Sequence, residues 1–134
     1  MDRLFLDANI LFSAAYRPEA GLRRLWALAD VLLLSSVYAL EEARVNLPEP
    51  VQRTRLAELA QRLQLVVSTS TRPLPADIHL PPKDQPILLA AIVARATHLL
   101  TGDVRDFGPY YGQMVEGVVI MPPAVYFRGR TEET

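Results

Sequence analysis

Four acidic side chains, Asp7, Glu42, Asp84 and Asp103, each stand at or just beyond the end of an apolar segment, and those segments are far apart in the chain. A fold that gathers those ends makes a carboxylate cluster, and clustered carboxylates repel one another until a cation joins them. The chain has no cysteine and only two histidines, His79 and His98. Thiolate and histidine-rich metal sites are therefore disfavoured, and an oxygen-ligated site favours Mg2+ or Mn2+. Asp7 is the acid hardest to explain otherwise, because it directly follows Leu4, Phe5 and Leu6, where burying a charge without a partner is costly. Each acid also has a plainer reading. Asp84 and Asp103 suit helix caps, Asp7 a strand-end cap, and Glu42 a helix face shared with Tyr38 and Val45.

The elements that must carry these acids alternate along the chain. Arg3 to Leu6 is a short apolar run, as expected of a buried parallel strand. Ile10 to Tyr16 and Ala20 to Ala29 have helical character, with Pro18 and Gly21 marking the break between them. Val31 to Leu34 predicts a second strand, followed by Ser35 or Ser36 as cap of a helix from about Val37 to Asn46. Val51 to Leu63 has a helical period that puts Leu56, Leu59, Ala60 and Leu63 on one face. Leu65 to Val67 is a third strand, and Ser68 to Pro86, which carries five prolines, is a connection. Pro86 fits the first turn of a helix running to Arg95. His98 to Thr101 and Val118 to Met121 complete five strands. The expected architecture is α/β: a mainly parallel sheet between helical layers, with ligands beyond the carboxyl ends of the strands. Residues 1–127 form one domain in this reading, and Arg128 to Thr134 a loose polar tail.

With 134 residues, half of them hydrophobic, and a net charge of -1, the chain suits one compact domain and not a disordered one. Charged residues or prolines break every apolar run before the roughly 20 residues that a membrane span needs. The N-terminus carries acids where a signal peptide has bases, so a cytoplasmic location is expected. Apart from Lys83, all 14 basic residues are arginine, which pairs with phosphate in a bidentate fork.

Four segments together resemble one family: LFLDANILFSAA at Leu4 to Ala15, SSVYALEEARVNL at Ser35 to Leu47, KDQPILLAAIVARATHLLTGD at Lys83 to Asp103, and FGPYYG from Phe107. In order and spacing they look like the PIN-domain ribonucleases, which include the VapC-type toxins. The resemblance implies a three-layer α/β/α fold with about five strands and a metal-dependent nuclease site. By motif, Asp7 matches the acid after the first strand, Glu42 the helix acid before an apolar residue, Asp84 the acid opening the long helix, and Asp103 the acid of the Thr-Gly-Asp turn. These four are the implied catalytic and metal-binding residues, with Glu41 an alternative to Glu42. Asn9, Ser36 and Thr101 match supporting polar positions, and Asp106 an auxiliary ligand. The family also implies an RNA substrate, an antitoxin partner and a homodimer, for which Leu22 and Leu25 are surface candidates.

Hydrolysis of a phosphodiester needs an activated water, neutralised phosphoryl oxygens and help for the leaving alkoxide, all of which carboxylate-held Mg2+ or Mn2+ supplies. Arg17, Arg23, Arg24, Arg44, Arg53 and Arg55 are candidates for a basic rim that attracts the polyanion, with Arg17 and Arg44 placed foremost; ordinary solvated helix faces are the equal alternative. Tyr110 and Tyr111 suit packing better than base stacking, and Trp26 suits the core. A catalytically silent PIN-like module that binds nucleic acid or protein is the competing class. A haloacid-type phosphatase is disfavoured because Asn9 stands where a second acid is needed, and a receiver domain because the only lysine is Lys83.

Overall fold

The computed structural model describes residues 1–67 and 72–132. Ser68 to Thr71, the opening of the proline-rich connection, and Glu133 and Thr134 lie outside the described residues. A six-stranded sheet runs β3-β2-β1-β4-β6-β5. Its strands are β1 (Asp2–Leu6), β2 (Val31–Ser36), β3 (Gln64–Val66), β4 (His98–Leu100), β5 (Met114–Val115) and β6 (Val118–Met121). All neighbours pair in parallel except β5 with β6. The helices are α1 (Ala8–Tyr16), α2 (Val37–Asn46), α3 (Pro50–Ala60), α4 (Gln85–Val93) and α5 (Pro123–Glu132). The architecture is the three-layer α/β/α arrangement expected from the alternation.

The central strands are apolar because both of their faces are covered. Leu4, Phe5, Leu6, Leu99, Leu100 and Ile120 are completely buried, and Leu11, Ile87 and Leu88 join them from α1 and α4. Trp26 is core as expected, and its indole Nε1 donates to the Leu59 carbonyl at 3.0 Å. Tyr110 and Tyr111 pack partly buried against the same cluster.

Four expectations change. Residues read as a helix from Ala20 to Ala29 form a shorter 3-10 helix, Gly21–Ala27, with Arg23 N bonded to Ala20 O and Leu28 N to Leu25 O. The tighter winding rises about 2.0 Å per residue against about 1.5 Å for an α-helix, so a short piece reaches further back toward β2. Leu25 is fully buried and is no surface candidate for dimerisation, whereas Leu22 is partly buried. A sixth strand, β5, forms between β4 and β6 in the chain, where the sequence reading placed none. Glu116 (φ 48) and Gly117 (φ 89) make the left-handed turn that folds it back on β6. Finally, α5 continues through Arg128 to Glu132, where a loose tail was expected. Its Tyr126 is buried and donates to Asp2 Oδ2 at 2.7 Å, and Arg130 bonds both the Tyr126 hydroxyl and Asp30.

Candidate active site

The sheet grows outward from β1 through β2 to β3 and then restarts at β4 on the other side of β1. That reversal leaves a crevice at the carboxyl ends of β1 and β4, because the connections leaving those two strands diverge. Asp7 follows β1 at this crevice, with its backbone N–H bonded to the Leu100 carbonyl at 3.1 Å, and Thr101 follows β4, its N–H bonded to the Met121 carbonyl at 3.1 Å. A cleft of about 930 Å³ opens there, and Asp7, Glu42, Asp84, Asp103 and Asp106 all line it.

Asp7 is 4% exposed. Its Oδ1 accepts from Ala8 N at 2.6 Å, which makes it the N-cap of α1, and its Oδ2 accepts from Asn9 Nδ2 at 3.0 Å and Thr101 Oγ at 2.8 Å. Burial pushes the Asp7 carboxyl above its ordinary pKa; the Thr101 and Ala8 bonds oppose this, and the charge of Glu42 adds to it. Thr101 is fully buried, and its Oγ also accepts from Asn9 Nδ2 at 3.3 Å and from Asp103 N at 3.1 Å. Asn9 Oδ1 takes the Gly102 N–H at 2.8 Å. Asn9 and Thr101 thus hold Asp7 and tie it to the turn that carries Asp103.

Asp84 sits at the N-cap position of α4, yet its side chain makes no capping bond. It is 8% exposed and its Oδ2 is buried with no hydrogen-bond partner. Burial drives its pKa up to about 6; neighbouring Lys83 works against that rise, and Asp7, Asp103 and Asp106 reinforce it. Carboxylate oxygens of Asp84, Asp103 and Asp106 lie within 4.8 Å of one another. Asp103 Oδ1 accepts from Asp106 N at 3.0 Å, which folds the turn so that both carboxylates reach the cleft. A carboxylate with one buried oxygen lacking a donor, grouped with two more acids, fits an oxygen-ligated divalent cation.

Glu42 lines the cleft from α2, whereas Glu41 is exposed and paired with Arg44 at 2.5 Å. The structure therefore assigns the cleft-facing acid of this helix to Glu42. Ser36 touches none of the acids: its Oγ accepts from Ala39 N at 3.0 Å and caps α2, the helix that presents Glu42. Two tyrosines fasten the loops behind the acids. The Tyr38 hydroxyl donates to the Lys83 carbonyl at 2.8 Å, and the Tyr111 hydroxyl to the Thr101 carbonyl at 3.1 Å. Burial raises both phenol pKa values, and the charges of Glu42 beside Tyr38 and Asp103 beside Tyr111 raise them further.

The basic rim differs from expectation. Neither Arg17 nor Arg44 lines the cleft. Arg17 follows α1 at the end remote from Asp7, about 15 Å along the axis at an ordinary helical rise, and Arg44 is engaged by Glu41. Arg53 and Arg55 donate to the carbonyls of Leu47, Ala15 and Tyr16 that end α2 and α1. The cations in the cleft are Lys83 and Arg105, which the sequence reading did not select. The available signal was their position beside Asp84 and between Asp103 and Asp106.

A mainly parallel sheet with a carboxylate cleft at its reversal point defines a class of three-layer α/β proteins with an acidic centre. Within it, the family model described as PIN domain matches residues 3–105. The chain belongs to the PIN-domain family, a family of nucleases. Among solved structures it is similar to a chain in the crystal structure of VapBC2 from Rickettsia felis bound to a DNA fragment from their promoter. The TM-score is 0.62 at 16% sequence identity, and the match covers 90% of this chain and 98% of that one. No curated protein matches.

Proposed function

We propose that this chain is a Mg2+- or Mn2+-dependent endoribonuclease, acting on RNA in the cytoplasm as the toxin of a toxin–antitoxin pair. Two observations carry this reading together: the Oδ2 of Asp84 is buried without a partner, and the Asp84 carboxylate lies within one cation's reach of Asp103 and Asp106. Asp84, Asp103 and Asp106 would hold the ion, with Asp7 and Glu42 reaching it directly or through water. Bound there, the cation supplies an activated water and neutralises phosphoryl charge. Thr101 and Asn9 orient Asp7 by hydrogen bonds, a role that keeps ligand geometry fixed. Lys83 and Arg105 offer positive charge at the cleft for the scissile phosphate and its neighbour. Likeness in fold to a chain of a VapBC complex supports an antitoxin partner; the homodimer rests on the family resemblance alone. All five acids are present in the cleft, so nothing favours a silent binding module.

Incubation of the purified chain with end-labelled single-stranded RNA tests the proposal. Internal cleavage is expected with Mn2+ or Mg2+ and none with a chelator, and Asp103→Asn is expected to reduce the rate at least about a hundredfold, as loss of a directly acting group does. Equal cleavage with and without metal would overturn it.

A further inference from the structure

The acid cleft does not end at the acids. Leu22, Pro123 and Ala124 line both it and a second cleft of about 530 Å³ between the 3-10 helix and α5. The second cleft has the opposite electrostatic character: Arg24, Arg128 and Phe127 line it, and no acid does. Arg24 and Arg128 are both exposed, and among the described residues neither is in an ion pair. The Arg24 guanidinium lies over the Phe127 ring, 4.3 Å from its centroid. This contact holds the cation in place without consuming its N–H donors, because a ring face attracts the charge without accepting those hydrogens in a planar fork.

We infer that this second cleft is a binding site for the RNA strand leading away from the scissile bond, with Arg24 and Arg128 each contacting a backbone phosphate. The inference rests on the nuclease reading and adds to it the path of the substrate. The centre sets five carboxylates against only Lys83 and Arg105, so further phosphate contacts outside it would add to affinity, which phosphate contacts dominate in nucleic-acid binding. The groove is continuous with the centre, carries only positive charge, and holds one guanidinium ready for bidentate contact. Among the described residues, six of the eleven other arginines, Arg3, Arg44, Arg53, Arg55, Arg72 and Arg130, donate to carbonyls or carboxylates.

The test compares the full chain with Arg24→Glu/Arg128→Glu and with Arg128→Glu alone, which leaves the Arg24–Phe127 stack in place. Fluorescence anisotropy with a fluorescein-labelled oligouridylate in chelator gives the affinity across a salt series, and steady-state cleavage with Mn2+ gives KM and kcat. The double variant is expected to bind at least about tenfold more weakly, to lose about 1.4 from the slope of log affinity against log salt, at about 0.7 per phosphate for a single strand, and to express its loss in KM more than in kcat. Arg128→Glu should show about half that change in slope. Unchanged affinity, slope and KM in both variants, with cleavage by the parent chain intact, would remove the groove and assign it another occupant, such as a protein partner. No binding and no cleavage by the parent chain would instead remove the nuclease reading and this inference with it.

Discussion

Asp84 concentrates the chemistry of the site. A carboxylate at a helix start ordinarily accepts a backbone N–H, whereas this one is buried, makes no cap and leaves Oδ2 unpaired. Its carboxyl, raised to about 6 from an ordinary 3.8, holds its proton more tightly in the folded chain than in the unfolded one. Protonated Asp84 therefore favours folding below about pH 4, and that contribution is lost as pH rises through about 6. Asp7, also raised by burial, acts in the same direction. In chelator, the melting temperature of the parent chain relative to Asp84→Asn is expected to fall between pH 4 and pH 7. Added Mn2+ should reverse the fall at pH 7 and do little at pH 4.5, and at a hundredfold excess over its dissociation constant should stabilise by about 2.7 kcal/mol. Scanning calorimetry at the two pH values checks both, and a parent-minus-variant difference that does not change with pH would refute the role given to Asp84. The acids themselves were legible in the sequence because a charge after an apolar run must be explained. Asp106 stood out less, since its place in the trio depends on the hydrogen bond from its N–H to Asp103, which spacing alone does not reveal. Composition counts arginines without placing them, so it could not tell that Arg17 and Arg44 stand outside the cleft that Lys83 and Arg105 line.

At the scale of elements, the strands and helices flanking the acids follow from local pattern. The helix predicted from Val37 to Asn46 has those limits, because Ser36 caps its start and Pro48 closes off its continuation. What the sequence left hidden is structure stabilised mainly by distant partners. The two-residue β5 exists by pairing with β6, and the polar half of α5 is helical while Tyr126 and Arg130 bond to Asp2 and Asp30 near the other end of the chain. Tyr126→Phe is accordingly expected to cost about 1 to 3 kcal/mol, since it strips a hydrogen bond from the Asp2 carboxylate; chemical denaturation measures it, and a cost near zero would show that α5 is held by packing alone. The tyrosine behind the Asp103 turn gives a different signature. Tyr111→Phe frees the Thr101 carbonyl, with an expected loss of about 1 kcal/mol in stability and an accompanying several-fold loss of Mn2+ affinity by calorimetry. A stability loss with metal affinity intact would mean that the Thr101 carbonyl does not position the turn.

Across the whole molecule, charge is arranged by region more than by total. The net charge of -1 conceals a cleft with five carboxylates joined to a groove whose charged residues are Arg24 and Arg128. On the proposed reading, this arrangement would reconcile a cation-holding site with a polyanionic substrate, and association is then expected to weaken with added salt. No described helix is long and apolar enough to cross a membrane. The sheet order makes the arrangement possible, because only the reversal between β1 and β4 brings residues near positions 7 and 103 to one crevice. Anomalous diffraction from a crystal of the chain soaked in Mn2+ tests this directly: a peak is expected among the carboxylates of Asp84, Asp103 and Asp106, on the side of the unpaired Asp84 oxygen. A well-ordered cleft with no anomalous peak at saturating Mn2+ would contradict the account.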